Sequence, residues 1–189
     1  MRTIFVFITL FIALLFAKPA LAQTTTIFVK IIDANGNLIK GESFDANHVD
    51  EIIAISYGQD NTGCAVGSGS CGGTLGNFIF NMDGNKSLPF LNQSLFSGTP
   101  LRSVDIVFRK IFSTSVNPVE YFKVHLETVS VVHVTNSLGD ATNAPLLVQV
   151  ALSSAKAGWT YTGIRANGMP DSPVKWGWDA SQKQPWSSF

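Results

Sequence analysis

The sequence contains few charged residues, few cysteines and only one long apolar run. Charged residues make up 14% of the chain, whereas soluble domains usually contain roughly 25%, so much of the surface must be neutral. Lysine and arginine number 13, as do aspartate and glutamate, which leaves no basic excess to form a nucleic-acid site. A surface of low net charge favours self-association.

Motifs of catalysis are also missing. The sequence has no Gly-x-Ser-x-Gly, His-Glu-x-x-His or Walker-type Gly-Lys-Ser, and no spacing marks a nucleophile beside a base or a pair of carboxylates. We interpret His125 and His133 as residues of a solvated face on adjacent strands and His48 as a polar turn residue. Asp50 and Glu51 are interpreted as solvated residues at a strand start. The sequence therefore predicts no enzyme, no metal site and no cofactor.

The one long apolar run lies at the start, over residues 4–17, and carries no charge. Arg2 precedes it and a small-x-small site ends at Ala22, which predicts a Sec-type signal peptide over 1–22, cleaved before Gln23. An uncleaved membrane anchor is the alternative, but the run is shorter than the ~20 residues that a spanning helix needs. Loss of Arg2 and Lys18 leaves 11 basic and 13 acidic residues over 23–189, a formal charge of −2. This length suits one exported domain, periplasmic or secreted, without stable membrane insertion.

Cys64 and Cys71 are the only two cysteines. Because an exported protein meets oxidising conditions, we expect them to form a disulfide that closes a short loop, worth on the order of 2.5 kcal/mol in the chain-entropy model. Metal-binding thiolates are the alternative, but no histidine has zinc-like spacing to them. Both cysteines fall in 58–76, a glycine-rich segment that we predict to be a long loop.

Residues 85–98 are the one stretch after the leader with helical periodicity. Ser87 is placed to cap the first turn with its hydroxyl, Pro89 suits the first turn, and Gly98 can adopt the left-handed conformation that ends a helix. Leu88, Leu91 and Leu95 form an apolar stripe that Phe90 and Phe96 should widen.

The rest of the mature chain has the periodicity and composition of β-strands. Nine or so short strands with one helix predict a mainly β sandwich or closed barrel. In the tail beyond Gly163, Trp176 and Trp178 are expected to pack on the barrel surface. The predicted strands are 27–32, 39–44, 51–57, 78–82, 101–110, 121–127, 129–134, 146–152 and 159–162.

Three stretches together resemble a known family. Residues 40–52 follow an opening of the form I-x-G-E-S-x-D-x-x-H-x-D-x-I, counted from Ile39, as in the haemolysin-coregulated protein (Hcp) family of type VI secretion tube subunits. Residues 86–98 are similar to that family's single helix, and Gly177-Trp178-Asp179 resembles its terminal motif. The resemblance implies a β-barrel of two sheets with one short α-helix at its flank. It further implies six-membered rings that stack into a hollow tube, with the chain itself and effector or tip proteins as partners.

The leader departs from that family, whose subunits leave through their own secretion machine and need no signal peptide. We therefore expect an exported Hcp-like protein that forms rings, which agrees with both the leader and the family resemblance. In it the 58–76 loop would reach toward a neighbouring ring, stiffened by the Cys64–Cys71 disulfide. The alternative is a secreted monomeric β-barrel that binds a carbohydrate or protein ligand through its tryptophan-rich tail.

Overall fold

A computed structural model describes residues 25–63, 73–111, 117–139, 144–165, 167 and 169–189. These ranges contain nine strands and one helix. In chain order the elements are β1 (Thr25–Ile32), β2 (Leu38–Ile39), β3 (Ile52–Gln59), β4 (Phe78–Asp83), α1 (Leu88–Ser97), β5 (Leu101–Lys110), β6 (Val119–Leu138), β7 (Leu146–Tyr161), β8 (Val174–Asp179) and β9 (Gln184–Pro185).

Six of the strands close into a barrel. The antiparallel order is β4, β3, β1, β5, β6, β7, and β7 pairs again with β4. Closure gives each wall strand two partners over at least part of its length, which removes most of the free edges that promote aggregation. Strand β2 pairs with β1, while β8 and β9 extend the sheet beyond β7. The predicted mainly β barrel with one helix is confirmed.

Strands β6 and β7 form a long bent hairpin. Each joins two segments that the sequence predicted as separate strands. Thr128 has a φ of 53° and the register of β6 shifts again between Val131 and His133, and such irregularities bend and twist a strand without ending it. The first part of β7 pairs with β4 and its last part with β8, so the bend divides the barrel wall into two halves.

The barrel interior is filled by alternating apolar residues. Val104, Ile106 and Phe108 of β5 point inward, and so do Val124 and Leu126 of β6. This period of two is what one buried and one solvated face require. Other fully buried members of the core are Ile31, Ile52, Phe78, Phe80, Met82, Leu91, Val150 and Leu152.

Helix α1 confirms part of its prediction. Pro89 lies in the first turn, and Gly98 ends the helix with a φ of 65°. The predicted Ser87 cap is wrong, because its hydroxyl donates to Asn85 Oδ1 at 2.7 Å and makes no capping bond. Only Leu91 is fully buried, and Phe90 and Phe96 are exposed rather than part of the stripe. A helix of ten residues that rests along the barrel wall buries one narrow stripe.

The predicted strand 39–44 is wrong beyond Ile39. The chain folds instead into a loop that is hydrogen-bonded to itself, with the Gly41 N–H donating to the Asp50 carbonyl at 2.6 Å and the Ser43 N–H to the Glu51 carbonyl at 3.0 Å. A Cβ on Gly41 would lie 2.4 Å from the Glu51 carbonyl oxygen, so this close approach requires glycine. Strands β1 and β2 are joined by a tight turn in which Gly36 has a φ of 88°.

Candidate functional site

The outer surface of the barrel has two faces of different chemistry. We call the outward side of β1, β5 and residues 119–127 and 156–161 the charged face, and the outward side of β3, β4 and residues 129–138 and 146–153 the neutral face. The segments of the neutral face contain one residue of permanent charge, Asp83, whereas those of the charged face contain nine. The nine are Lys30, Arg102, Asp105, Arg109, Lys110, Glu120, Lys123, Glu127 and Lys156.

Ion pairs join neighbouring strands of the charged face. Asp105 lies 2.7 Å from Nδ1 of His125 and 3.9 Å from the Lys123 ammonium. Partial burial opposes ionisation of Asp105, but these partners outweigh it and lower the pKa of its carboxyl. Glu127 pairs with Lys156 at 3.3 Å. His125 lies on the outer face, but its side chain is only 25% exposed. His125 and His133 share strand β6 rather than lying on adjacent strands as predicted.

Residues 40–52, which we call the signature loop, are tied to the start of α1. Asp50 accepts hydrogen bonds from the side chains of Lys40 at 2.9 Å and Lys86 at 3.2 Å, and these bonds hold its pKa below the ordinary range. The Glu42 carboxylate accepts the backbone N–H of Lys86 at 3.3 Å. Asp50 is therefore a bridging residue and not merely solvated at a strand start.

His48 is buried beneath the signature loop. Its ring stacks on Phe28 of β1 at 4.0 Å, with planes 7° apart. Nδ1 lies 2.9 Å from Glu51 and Nε2 3.3 Å from Glu120, and the Arg109 guanidinium also lies over Phe28, at 4.7 Å. His48 lies in a turn as predicted, with its N–H donating to the Asp45 carbonyl at 3.1 Å, but its side chain is buried. The prediction of a solvated Glu51 is wrong, because that side chain is buried too. No local sequence signal reveals this, since the covered surface is on other strands.

The same loop holds Phe44 outside the barrel. Arg109 donates to the Asp45 carboxylate and lowers its pKa from 3.8 to about 2. Asp45 also accepts the Asn47 N–H at 3.0 Å, and the Ser43 hydroxyl accepts the Asp45 N–H at 3.2 Å. Both neighbours of Phe44 are thus fixed, yet Phe44 itself is 98% exposed.

A row of uncharged polar side chains crosses the neutral face. Asn81 donates to the Ser56 hydroxyl at 2.7 Å and accepts from the Gln149 amide at 3.2 Å, while Thr135 lies opposite Gln149 in the β6–β7 ladder. The row lines a shallow depression of about 380 Å³. Its amide groups already bond one another, so the row presents neither charge nor a strong unmet hydrogen-bonding demand.

Apolar side chains flank this row. Ile53, Ile55, Val132, Leu138 and Leu147 of the neutral face are all more than two-fifths exposed. Single exposed apolar residues are ordinary, but a set on one face marks a surface that contacts another molecule.

Three indoles and the base of the 58–76 loop form a cleft, which we call the Trp cleft. Trp159 and Trp176, opposite one another in the β7–β8 ladder, stack at 5.5 Å, and Trp178 stacks on Trp176 at 6.1 Å. With Leu75 and the polar residues 61–63 and 73–74 they enclose about 260 Å³. None of the lining residues carries a charge, and the predicted packing of the tail against the barrel is found here.

The last residues cover part of the charged face. The Trp186 N–H donates to the Gly177 carbonyl at 2.9 Å, and its ring stacks on His125 at 5.9 Å. The Phe189 ring fills the space that glycine leaves at positions 158 and 177, where a Cβ would come within 2.6 Å of it. Packing of the tail against the sheet therefore requires glycine at both of these positions, which face one another across β7 and β8.

Several predicted sites lie outside the described residues. They are Cys64 and Cys71 with their disulfide, and Ala22 and Gln23 with the cleavage site. In the described ranges no group of three or more His, Cys, Asp and Glu residues could hold a metal ion. No helix within those same ranges has the length and apolar character to cross a bilayer.

Comparison with known proteins points to one family. The sequence model described as type VI secretion system effector, Hcp, matches residues 28–161, which span the barrel from β1 to β7. No protein of curated function matches the chain in sequence.

Solved structures of Hcp proteins are similar to this chain in fold. Hcp1 from Salmonella typhimurium is 26% identical, with a TM-score of 0.67 over 86% of this chain and 99% of that one. An Hcp1 double mutant from E. coli EAEC 042 is 24% identical, with a TM-score of 0.65 over 82% and 98%. A type six secretion system protein at 13% identity has a TM-score of 0.74 over 86% and 100%, so its likeness is one of fold alone.

Proposed function

The chain belongs to the Hcp family of type VI secretion system proteins, and from that premise we propose that it is a non-enzymatic subunit of homo-oligomeric rings. The observation that supports the ring is the match of the barrel to the Hcp family over residues 28–161. The neutral face, a broad wall of the barrel with exposed apolar side chains and almost no charge, supports contact with carried proteins. Such a surface suits contact with other protein molecules rather than with bulk solvent.

The rings would be built from one repeated contact between different patches of neighbouring subunits. A contact of this heterologous kind closes into a ring when its rotation divides the full turn evenly. Six copies, as the family implies, is the proposed number. Rings of this kind could stack into a tube.

In this ring the neutral face would line the lumen and the charged face would lie outside. The ion pairs of the charged face are bonded among themselves and suit water, whereas the row of Ser56, Asn81, Gln149 and Thr135 offers no charge for a passenger to complement. A neutral wall of this kind can contact effector proteins of varied charge. Its polar side chains already hydrogen-bond one another, so a passenger need not supply matching groups.

We also propose that residues 1–22 direct export through Sec and that Cys64 and Cys71 form a disulfide outside the cytoplasm. A stiffened loop loses less conformational entropy when it docks on a neighbouring ring. Intact mass of the exported protein tests both points. The expected chain begins at Gln23 and takes up no alkylating reagent until it is reduced; retention of the leader or two free thiols would contradict them.

The alternative of a monomeric carbohydrate binder is not favoured by the geometry. Trp176, the most exposed of the indoles in the Trp cleft, stacks on Trp159 and Trp178. A pyranose also needs hydrogen-bond partners for its hydroxyl groups, and the polar side chains that line the cleft are only Asn61, Thr62 and Thr74.

Native mass spectrometry and negative-stain imaging of residues 23–189 test the ring. We expect a closed oligomer with a central hole, which persists on dilution into the micromolar range. A chain that stays monomeric at every concentration would overturn the proposed function.

The direction of the neutral face has its own test. In a background with Cys64 and Cys71 changed to serine, Gln149→Cys and Lys30→Cys each provide one thiol for a gold label. Gold on residue 149 should fall within the hole and gold on residue 30 at the outer rim. The opposite pattern would place the charged face in the lumen.

A further inference from the structure

Phe44 is an apolar side chain in a hydrogen-bonded loop, and no residue that the structure describes covers it. At 98% exposure it is the most exposed of the large apolar residues in the described ranges. Its neighbours Ser43 and Asp45 are fixed by hydrogen bonds, and Asp45 is further fixed by Arg109. Such a side chain loses little additional freedom on docking, because its backbone is already ordered.

The Trp cleft has the size and chemistry to receive such a side chain. Its volume is about 260 Å³, and an apolar cavity of roughly 150 Å³ is enough to bind benzene. Three indoles and Leu75 supply apolar contacts, and the absence of charge in the lining excludes a charged occupant. Aromatic side chains in aromatic pockets are also the type of contact that dominates protein interfaces.

Phe44 cannot fill the cleft of its own chain. The signature loop lies on the outer side of β1 and β5, where it covers Phe28. The Trp cleft lies on the opposite side of the wall, at β8, because Trp159 packs against the barrel core. Strand β8 is three strand spacings from β5, about 14 Å along the sheet.

We propose that Phe44 of one copy inserts into the Trp cleft of the next, and that this contact joins neighbouring subunits in the assembly. The inference rests on the proposed function and names the residues of its repeated contact. Two patches that lie on opposite sides of the wall, and far apart along it, give a heterologous interface, which is the kind that generates rings.

Substitution of each partner tests the contact. Phe44→Ala and Trp176→Ala should each raise the concentration needed for assembly at least tenfold. Because Trp176 also stacks on its neighbours, Thr74→Glu serves as a second cleft variant that places a charge at the rim and keeps the indoles. Phe96→Ala is the matched control, since Phe96 is 86% exposed but belongs to α1, and it should assemble as the wild type does.

A photocrosslinker in place of Phe44 identifies the partner directly. Benzoylphenylalanine at position 44, in an equal mixture of light and heavy-isotope protein, should give crosslinks between copies that map to residues 159–178. An equimolar mixture of Phe44→Ala and Trp176→Ala should form one-to-one dimers, because one intact contact remains.

The outcomes separate the two proposals. Rings that persist in Phe44→Ala, or crosslinks that map elsewhere, overturn this contact and leave ring formation intact. A wild-type chain that is monomeric at every concentration overturns both.

Discussion

The charged and neutral faces belong to the same barrel and share the same core, but they use their outer residues differently. On the charged face, side chains bond across strands, the signature loop covers Phe28, and the tail covers Gly158 and Gly177. On the neutral face, large apolar residues stay exposed beside a single polar row. The difference teaches that the outer side chains of the charged face are largely paired within the chain, whereas those of the neutral face leave several large apolar groups exposed.

The largest expected difference between the faces is in stability. Phe28→Ala removes a buried ring beneath the signature loop and should lower the free energy of unfolding by about 3–5 kcal/mol. Ile55→Ala removes a half-exposed side chain from the neutral face and should cost less than about 1 kcal/mol. Urea denaturation of the monomeric chain measures both. Equal losses would remove the distinction between the two faces.

A histidine on each face sharpens the comparison. His48→Gln leaves the buried carboxylate of Glu51 without its Nδ1 partner and should destabilise the fold by about 1–3 kcal/mol. His133, exposed on the neutral face, should tolerate the same change within about 0.5 kcal/mol. Thermal unfolding measures the stability of the two variants. A His48→Gln variant as stable as the wild type would show that the stacked ring contributes little to stability.

The tail allows a smaller contrast between two phenylalanines. Phe189→Ala uncovers Gly158 and Gly177 and should cost about 1 kcal/mol, since the ring is partly buried. Phe96→Ala should be close to neutral because the side chain projects into solvent. Hydrogen exchange of the β8 amides should rise in the first variant alone, and exchange that rises in neither would contradict packing of the tail.

The smallest expected effect concerns acid. Arg109 lowers the pKa of Asp45 to about 2, below its value in the unfolded chain, so the pair stabilises the fold above about pH 4 and this contribution is lost as the pH falls toward 2. Asp45→Asn should make unfolding less dependent on pH across that window. Arg109→Gln removes the other member of the ion pair and should also make unfolding less dependent on pH. If the free energy of unfolding of both variants depended on pH as the wild type's does between about pH 4 and 2, the ion pair would have no net effect on stability.

Most of the secondary structure could be predicted, because it depends on local patterns. Alternation gave β5 and both halves of β6, and the Pro89 and Gly98 signals gave the ends of α1. Thr128 shows where the prediction stopped. Its left-handed conformation lets one strand continue through a bend, and whether a chain turns or continues at such a point depends on the neighbouring strands that pair with it.

The functional features were harder to predict. His48 has the sequence surroundings of a turn residue, and its burial depends on Phe28, which lies twenty positions earlier and reaches it only when the loop folds over the wall. Phe96 was expected to widen the apolar stripe but is exposed, although its neighbour Leu95 packs against the core. Burial is decided by what faces a residue, and spacing along one element cannot supply that.

The sequence by itself determined most of the strands, the helix and the family, because period, turn chemistry and a spaced motif are written in neighbouring residues; it did not indicate β8 and β9. Tertiary structure alone decided which outer face carries the ion pairs, where the signature loop packs, and that Phe44 and the Trp cleft lie on opposite sides of the wall. These features arise when the barrel closes, since closure brings distant strands together and assigns each side chain to one side of the wall.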